Sequence, residues 1–544
     1  VEIRSRYRAL DDAASRARGD ELLSWLRDYA EHRVNSRLID ERRCVPPYIA
    51  LDFGNHGLFG IQVESAFGGL GLRNRDVARV LEQLAAIDLG LGTFLLTSIF
   101  PGVRPIAAFS EGALRAEFLP QLASGRMLAG YAQTEPGAGT HFQAMQARAV
   151  RDGRGGFRVS GEKVWIGNAT WAGILTTMAR DVDPDGRGHG LTAFAIPTDR
   201  PGVGLGAELL SLGMRGMVQS EVSFREVALG PDFVLGEPGK ALDVAVDSMS
   251  WSRFAIAATC IGAMKRCAQL MHRFASRRPI ATGPLDEHPL VRIAITETLA
   301  RAAATEELVH WVAAEIDEGR AVRAEMFAVC KVVGAEFLGQ SADRLVQVLG
   351  SRGYDEENLA AQLLRDARVT RIFEGTSEAL LAFIGAQAIH PRSYLPQLLR
   401  DAFDAADHAA VLEDAVDAIR RRSWPPIEAA GDPDADAPPR PWQSDRTGRA
   451  ACWAFASAAL SARAARTGDV LDAQAAAWAR LHLADARDAC AEPAREEQLL
   501  LDPVTVGKAV EALARSVGDV EQQLPGERRG LDPLLRRSEP SSNG

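Results

Sequence analysis

Tyr131-Ala132-Gln133-Thr134-Glu135-Pro136-Gly137-Ala138-Gly139-Thr140-His141 is the stretch on which the fold turns. An apolar start runs into a turn where Gly137 and Gly139 permit close approach of a ligand, and Thr134 and Thr140 offer hydroxyls. Alone, a G-x-G more often closes a strand end than cradles anything. Downstream, Lys163-Val164-Trp165-Ile166-Gly167-Asn168-Ala169 puts a Trp on a short strand, usually a core position. Further on, Arg365-Asp366-Ala367-Arg368-Val369-Thr370-Arg371 leads into Ile372-Phe373-Glu374-Gly375-Thr376-Ser377-Glu378. Thr376 or Ser377 suits the N-cap of a helix beginning near Glu378. By spacing alone, Glu374 is a favourable dipole partner for that helix and nothing more.

The texture around these blocks changes three times. Residues 1–128 read as helical: Leu22, Leu23, Leu26 and Tyr29 share one face, as do Val77, Val80, Leu81 and Leu84, with Gly68-Gly69-Leu70-Gly71 as loop. Residues 129–242 break into short apolar or alternating runs separated by turns such as Asp152-Gly153-Arg154-Gly155-Gly156, which predicts an antiparallel β domain. Residues 243–395 return to long helices, over 253–275, 290–318 and 321–349. A fourth region, 396–544, starts with an amphipathic helix over Asp401–Arg422. Six prolines then mark 423–443 as linker or exposed loop. Alanine-rich helices follow over 449–466, 470–491 and 504–523. Their stripes are modest: Cys452, Trp453, Phe455 and Leu460, then Val470, Leu471, Trp478, Leu481 and Leu483. Faces this thin should dock on the bundle. Residues 538–544 should be disordered.

At 544 residues the chain exceeds one compact core, and 47% hydrophobic with 25% charged residues is globular composition. The net charge of −10 argues against nucleic-acid binding. Cys44, Cys260, Cys267, Cys330, Cys452 and Cys490 form no C-x-x-C, so neither a disulfide framework nor a metal site is expected, and a reducing, cytoplasmic setting is. Only five residues are lysine. The N-terminus has no apolar signal core, but the chain starts without Met, which leaves a native targeting segment open. The longest uncharged apolar stretch, Leu89 to Val103, is shorter than the ~18 residues of a membrane span.

The three blocks, in this order and with helix–β–helix texture around them, resemble the acyl-CoA dehydrogenase family over residues 15–395. Phe59-Gly60-Ile61-Gln62-Val63-Glu64-Ser65 through Leu72, and the helices after the bundle, look most like its very-long-chain branch. The resemblance implies a mostly α fold: an N-terminal helical domain, a central antiparallel β domain, a four-helix bundle and an extra C-terminal helical domain. It implies FAD, with Tyr131, Gln133 and Thr134 flanking the flavin ring, Thr140 at the pyrophosphate and Trp165 packed on the ring. Gly167 stands where the family carries a Thr or Ser whose hydroxyl reaches the flavin, and His141 replaces an Asp. Arg278, Gln347 and Ser351 match positions that meet the partner subunit's FAD, with Gly350 between them; Ala281 and Thr282 depart from that pattern. Thr376 and Glu378 match positions beside the cofactor. Glu374 matches the base that takes the α-proton of an acyl thioester, with Ile372 and Phe373 drying the site, and Arg253 matches an arginine beside it.

The implied activity is FAD-dependent α,β-dehydrogenation of an acyl-CoA or acyl-carrier-protein thioester in fatty acid metabolism. The implied partners are an electron-transfer flavoprotein and a second copy in a homodimer. A flavin oxidase or monooxygenase on the same fold is an alternative, and Glu374 counts against it. A low-activity scaffold or assembly protein is another, favoured by Gly167, Ala281 and Thr282. Membrane association through 423–443 is disfavoured by Asp432, Asp434 and Asp436.

Overall fold

A computed structural model describes residues 1–422, 439–492 and 499–518. Most of the proline-rich run and the last residues lie outside these. Residues 1–491 form one compact unit, and 492–544 belong to a second.

After β1 (Glu2–Ile3), the chain builds α1 (Asp12–Arg33), α2 (Ser36–Arg42), α3 (Pro47–Asn55), α4 (Asn74–Ile87), α5 (Leu89–Thr97), α6 (Arg104–Phe109) and α7 (Gly112–Ala123). Asp11 caps α1 by accepting from the Ala14 N–H, satisfying a donor the helix start leaves open. Its Leu22, Leu23, Leu26 and Tyr29 are buried, the face the apolar spacing predicts. Leu89–Phe109 is long and apolar enough to cross a membrane by length and composition, a longer stretch than the sequence reading found, yet 83% of its window is buried within the protein. It is a core segment.

The strands that follow are β2 (Leu128–Ala132), β3 (Arg148–Arg151), β4 (Phe157–Gly167), β5 (Ala172–Val182), β6 (Gly188–Pro197), β7 (Val203–Glu208), β8 (Gln219–Leu229) and β9 (Val234–Leu235). They make one eight-stranded sheet in the order β7-β8-β4-β3-β5-β6-β9, with β2 beside β5. The sheet is mixed rather than purely antiparallel. Both β2 and β3 run parallel to β5, on successive stretches of it, at Leu128–Ala132 and at Arg148–Val150. Neither is joined to β5 by a hairpin, so turn signals could not reveal their direction.

The bundle comprises α8 (Ala241–Ala275), α9 (Pro289–Asp317), α10 (Ala324–Leu349), α11 (Leu359–Thr370), α12 (Ser377–Ile389) and α13 (Leu395–Phe403); a hairpin of β10 (Pro279–Ile280) and β11 (Gly283–Pro284) follows α8, and β12 (Val322–Arg323) pairs with β1. α8 and α10 bury residues around most of their circumference, as helices at the centre of a bundle must. The helix expected over Asp401–Arg422 is broken. Asp404, at φ +50, caps α13, and α14 (Ala406–Arg422) starts afresh.

α15 (Pro441–Thr467) and α16 (Val470–Ala491) pack on the bundle within the same unit. α12 and α15 cross where Gly385 meets Gly448. A Cβ on Gly385 would lie 1.8 Å from the Ser444 carbonyl oxygen, and one on Gly448 2.1 Å from that of Leu381. Only glycine allows this approach. Trp453 and Trp478 pack on Phe337 of α10, with ring centroids 5.2 and 6.1 Å away. Arg463 bonds Glu306 and Glu307 of α9, and Lys265 of α8 bonds the same Glu306 and Glu82 of α4. The expected stripe of α16 is only partly right. Val470, Leu471 and Leu481 are exposed, and Ala475, Ala476, Ala479 and Leu483 make the buried face, since small residues permit closer helix contact. The second unit contains α17 (Pro503–Ala512), capped at Asp502, which accepts from the Thr505 N–H, and the single turn α18 (Ala514–Val517).

Candidate active site

α11 ends at Thr370, and the chain turns before α12 begins under Thr376, which caps it by accepting from the Ala379 N–H (3.3 Å). Within this turn Glu374 has φ +54 and Gly375 φ +94. A glutamate in the left-handed region costs of order 1 kcal/mol or more and persists only if its surroundings hold it. They do so from two helices. Arg253 Nε on α8 donates to the Glu374 carbonyl (3.1 Å), and Lys331 Nζ on α10 donates to the Gly375 carbonyl (2.6 Å). Arg371, at the start of the turn, forks onto Glu336 of α10 at 2.8 and 2.6 Å.

Burial raises the Glu374 carboxyl to about 7, although the charges of Arg253 and Lys331 oppose the rise. Burial pushes the Tyr131 phenol well above its usual value, and the Glu374 charge adds to this, which sets the two side chains within electrostatic reach. Tyr131 donates to Gln133 Oε1 (2.7 Å). The structure therefore gathers Glu374, Arg253, Lys331, Tyr131 and Gln133.

The glycine-rich turn is pinned from below. Lys163, fully buried, donates to Glu135 Oε1 (2.8 Å) and to the carbonyls of Gln133 (3.1 Å) and Met178 (2.9 Å). Glu135 also accepts from the N–H groups of Gln146 and Ala147. Above this pin the turn is open, with nothing within 4 Å of a Cβ placed on Gly137 or Gly139. Val164 N–H bonds the Thr134 carbonyl (2.9 Å), which sets Trp165 beside the turn. Trp165 is not core. It has φ +61 in a bulged stretch of β4 and is 61% exposed, a large aromatic face open to solvent. At Gly167 a Cβ would stand 3.0 Å from the Thr97 methyl, so Thr97 crowds the place where a hydroxyl side chain would sit.

Other expected residues lie further out. Thr140 and His141 are exposed, as is Glu378 in the first turn of α12, where the helix-start N–H holds its carboxyl below the ordinary range. Arg278, Gln347 and Ser351 are exposed at the ends of α8 and α10; among the described residues no hydrogen bond or ion pair joins them to the Glu374 group. Ile372 does not dry the site, being 49% exposed; Phe373 packs against the core. Sequence reasoning missed Lys331 and the Lys163–Glu135 pin. The available signal was a lysine inside helices or strands otherwise apolar, in a chain with five lysines.

Three family models match in order: the acyl-CoA dehydrogenase N-terminal domain over residues 18–126, the middle domain over 130–227 and the C-terminal domain over 239–389. The mitochondrial very long-chain specific acyl-CoA dehydrogenase of Rattus norvegicus is 32% identical over 340 residues, 61% of this chain and 51% of that protein. Its Homo sapiens counterpart is 30% identical over 376 residues, 68% and 57% respectively. The chain thus spans about half the length of these curated relatives. The butyryl-CoA dehydrogenase structure from Megasphaera elsdenii superposes with a TM-score of 0.65 at 25% identity, covering 69% of this chain and 98% of that one. An acyl-CoA dehydrogenase complexed with FAD from Bacillus anthracis, at 21% identity, shares the fold over 94% of this chain and 93% of its own, with a TM-score of 0.70. The three models follow one another across residues 18–389, and the chain belongs to the acyl-CoA dehydrogenase family.

Proposed function

We propose that this protein binds FAD and dehydrogenates an acyl thioester between its α and β carbons, with Glu374 as the base. The observation that carries the reading is Glu374 itself. Its carboxyl sits at about 7, on a turn held in the left-handed region, beside Tyr131. A base poised near working pH is what abstraction of a weakly acidic α-proton needs.

The residues present fit a flavin. Trp165 offers an exposed aromatic face, Gly137 and Gly139 leave room above the turn, and Thr134 and Thr140 carry hydroxyls there. Tyr131, Gln133, Thr134 and Trp165 would hold the ring, Thr140 the pyrophosphate, and Thr376 and Glu378 the neighbouring edge. Gly167 can contribute only its N–H. Bound flavin would supply the acceptor for the β-hydride. The protein's own part is to orient the thioester, to hold the enolate oxygen against the Glu374 N–H, and to receive the α-proton on the Glu374 carboxylate. Arg253 and Lys331 fix the backbone on which that carboxylate rides.

Arg278, Gln347 and Ser351, exposed in the single chain, suit contact with cofactor bound by a second copy, so the working unit is a homodimer. Electrons would leave to an electron-transfer flavoprotein. The reacting end is common to acyl-CoA and acyl-carrier-protein thioesters. Anaerobic addition of a chain-length series on each carrier should bleach the flavin with one carrier class. Purified protein that neither contains nor takes up FAD would overturn the reading.

A further inference from the structure

Lys331 is fully buried on α10, in a run where Phe327, Val329, Cys330 and Val332 are also buried, and makes no ion pair among the described residues. A buried ammonium costs several kcal/mol unless well compensated. A methionine would fill the same volume without that cost, so core stability does not explain the lysine. Among the described residues its hydrogen bond goes to the Gly375 carbonyl (2.6 Å), the residue after Glu374, at φ +94.

We propose that Lys331 is a positioning residue for Glu374: its ammonium on the Gly375 carbonyl, together with Arg253 on the Glu374 carbonyl, clamps the left-handed turn and presents the carboxylate to Tyr131. This rests on the activity proposed above. The two cations approach consecutive carbonyls from different helices, so the turn is held on both sides. The charged and titratable groups facing Lys331 are Arg253 and Cys260 from α8, Glu374 from the turn and Glu336 from its own helix. Those facing Glu374 are Arg253, Lys331 and Tyr131. Burial, and then the charge of Arg253, lowers the Lys331 ammonium to about 8, and the Glu374 carboxyl lies at about 7. The base gains its charge as the pH rises through about 7, and the clamp loses its charge as the pH rises through about 8.

The test compares flavin-loaded wild type with Lys331→Met and Lys331→Arg. Infrared difference spectra against Glu374→Gln read the titration of the Glu374 carboxyl without turnover, and anaerobic stopped flow reads flavin reduction. Losing a neighbouring cation removes stabilisation of the carboxylate. In Lys331→Met the titration should therefore move up by about one pH unit, and reduction should slow about 10²-fold with FAD content unchanged. Lys331→Arg should recover part of both. An unmoved titration with an unchanged rate, or a fall in thermal stability alone, would overturn the proposal. If Lys331→Met does not fold, wild type decides: its reduction rate must fall again above about pH 8, and a flat profile from 7 to 10 would overturn the clamp. If no thioester reduces the flavin in any of these proteins, the proposed activity fails by itself, because the infrared titration still reads Lys331 acting on Glu374.

Discussion

Two glycine-bearing regions of this molecule use the same residue for opposite ends. Where α12 crosses α15, Gly385 and Gly448 are pressed against backbone oxygens at 1.8 and 2.1 Å from where a Cβ would stand. At the turn after β2, Gly137 and Gly139 have nothing within 4 Å. The first absence of a side chain is filled by protein and joins the C-terminal helices to the bundle. The second is left open beside Trp165 and Thr134, where a ligand would come. A packed joint should report on stability, and an open turn on binding and chemistry.

The largest effect expected on the chemical side is that of Glu374→Gln. Gln is nearly isosteric and cannot accept the proton, so flavin reduction should fall ~10²–10⁴-fold with FAD retained and the melting temperature unchanged. A variant that still reduces flavin at the wild-type rate would place the base elsewhere. On the packing side, Gly385→Ala drives a methyl into the Ser444 carbonyl, and overpacking of this kind costs about 1–3 kcal/mol or more. Thermal denaturation should show a clear drop, with the reduction rate per bound flavin preserved. An unchanged melting temperature would mean that the joint is looser than its geometry. Trp165→Ala removes the exposed aromatic face. FAD affinity, measured by fluorescence titration, should weaken by roughly tenfold, the equivalent of about 1.4 kcal/mol, with little change in the apoprotein's stability. The smallest effect is that of Gly137→Ala. Its methyl meets open space, so apoprotein stability should stay within about 0.5 kcal/mol, and any loss should appear only as weaker FAD binding. Destabilised apoprotein would erase the contrast between the two regions.

The contrast also marks how far the sequence could be read. Glycine at 385 looks the same in sequence as glycine at 137; which one meets a carbonyl depends on a helix about 60 residues away. The long helices were legible because α8 to α10 carry apolar residues at helical spacing, and the β domain because its turns are explicit. The parallel pairing of β2 and β3 with β5 was not, since no local turn encodes it. Nor was the break at Asp404, where one residue at φ +50 divides two helices with a continuous apolar pattern. Within the site, Glu374 and Tyr131 were found through motif resemblance. Lys331 was not, because it belongs to no such block and its partner, the Gly375 carbonyl, is a backbone atom 44 positions away. The exposure of Ile372 was not legible either, because adjacency to Phe373 in a turn does not say which of the two faces solvent.

The raised Glu374 carboxyl gives the most direct measurement. The base works only as the carboxylate, so protonation below about 7 should switch it off. Anaerobic flavin reduction by an acyl thioester that bleaches the wild type, followed from pH 5.5 to 7.5, should rise about tenfold per pH unit and level off near 7. The residual rate of Glu374→Gln should show no such break. A wild-type profile that is flat across this range, or the same break in the variant, would contradict the assignment of Glu374 as the base.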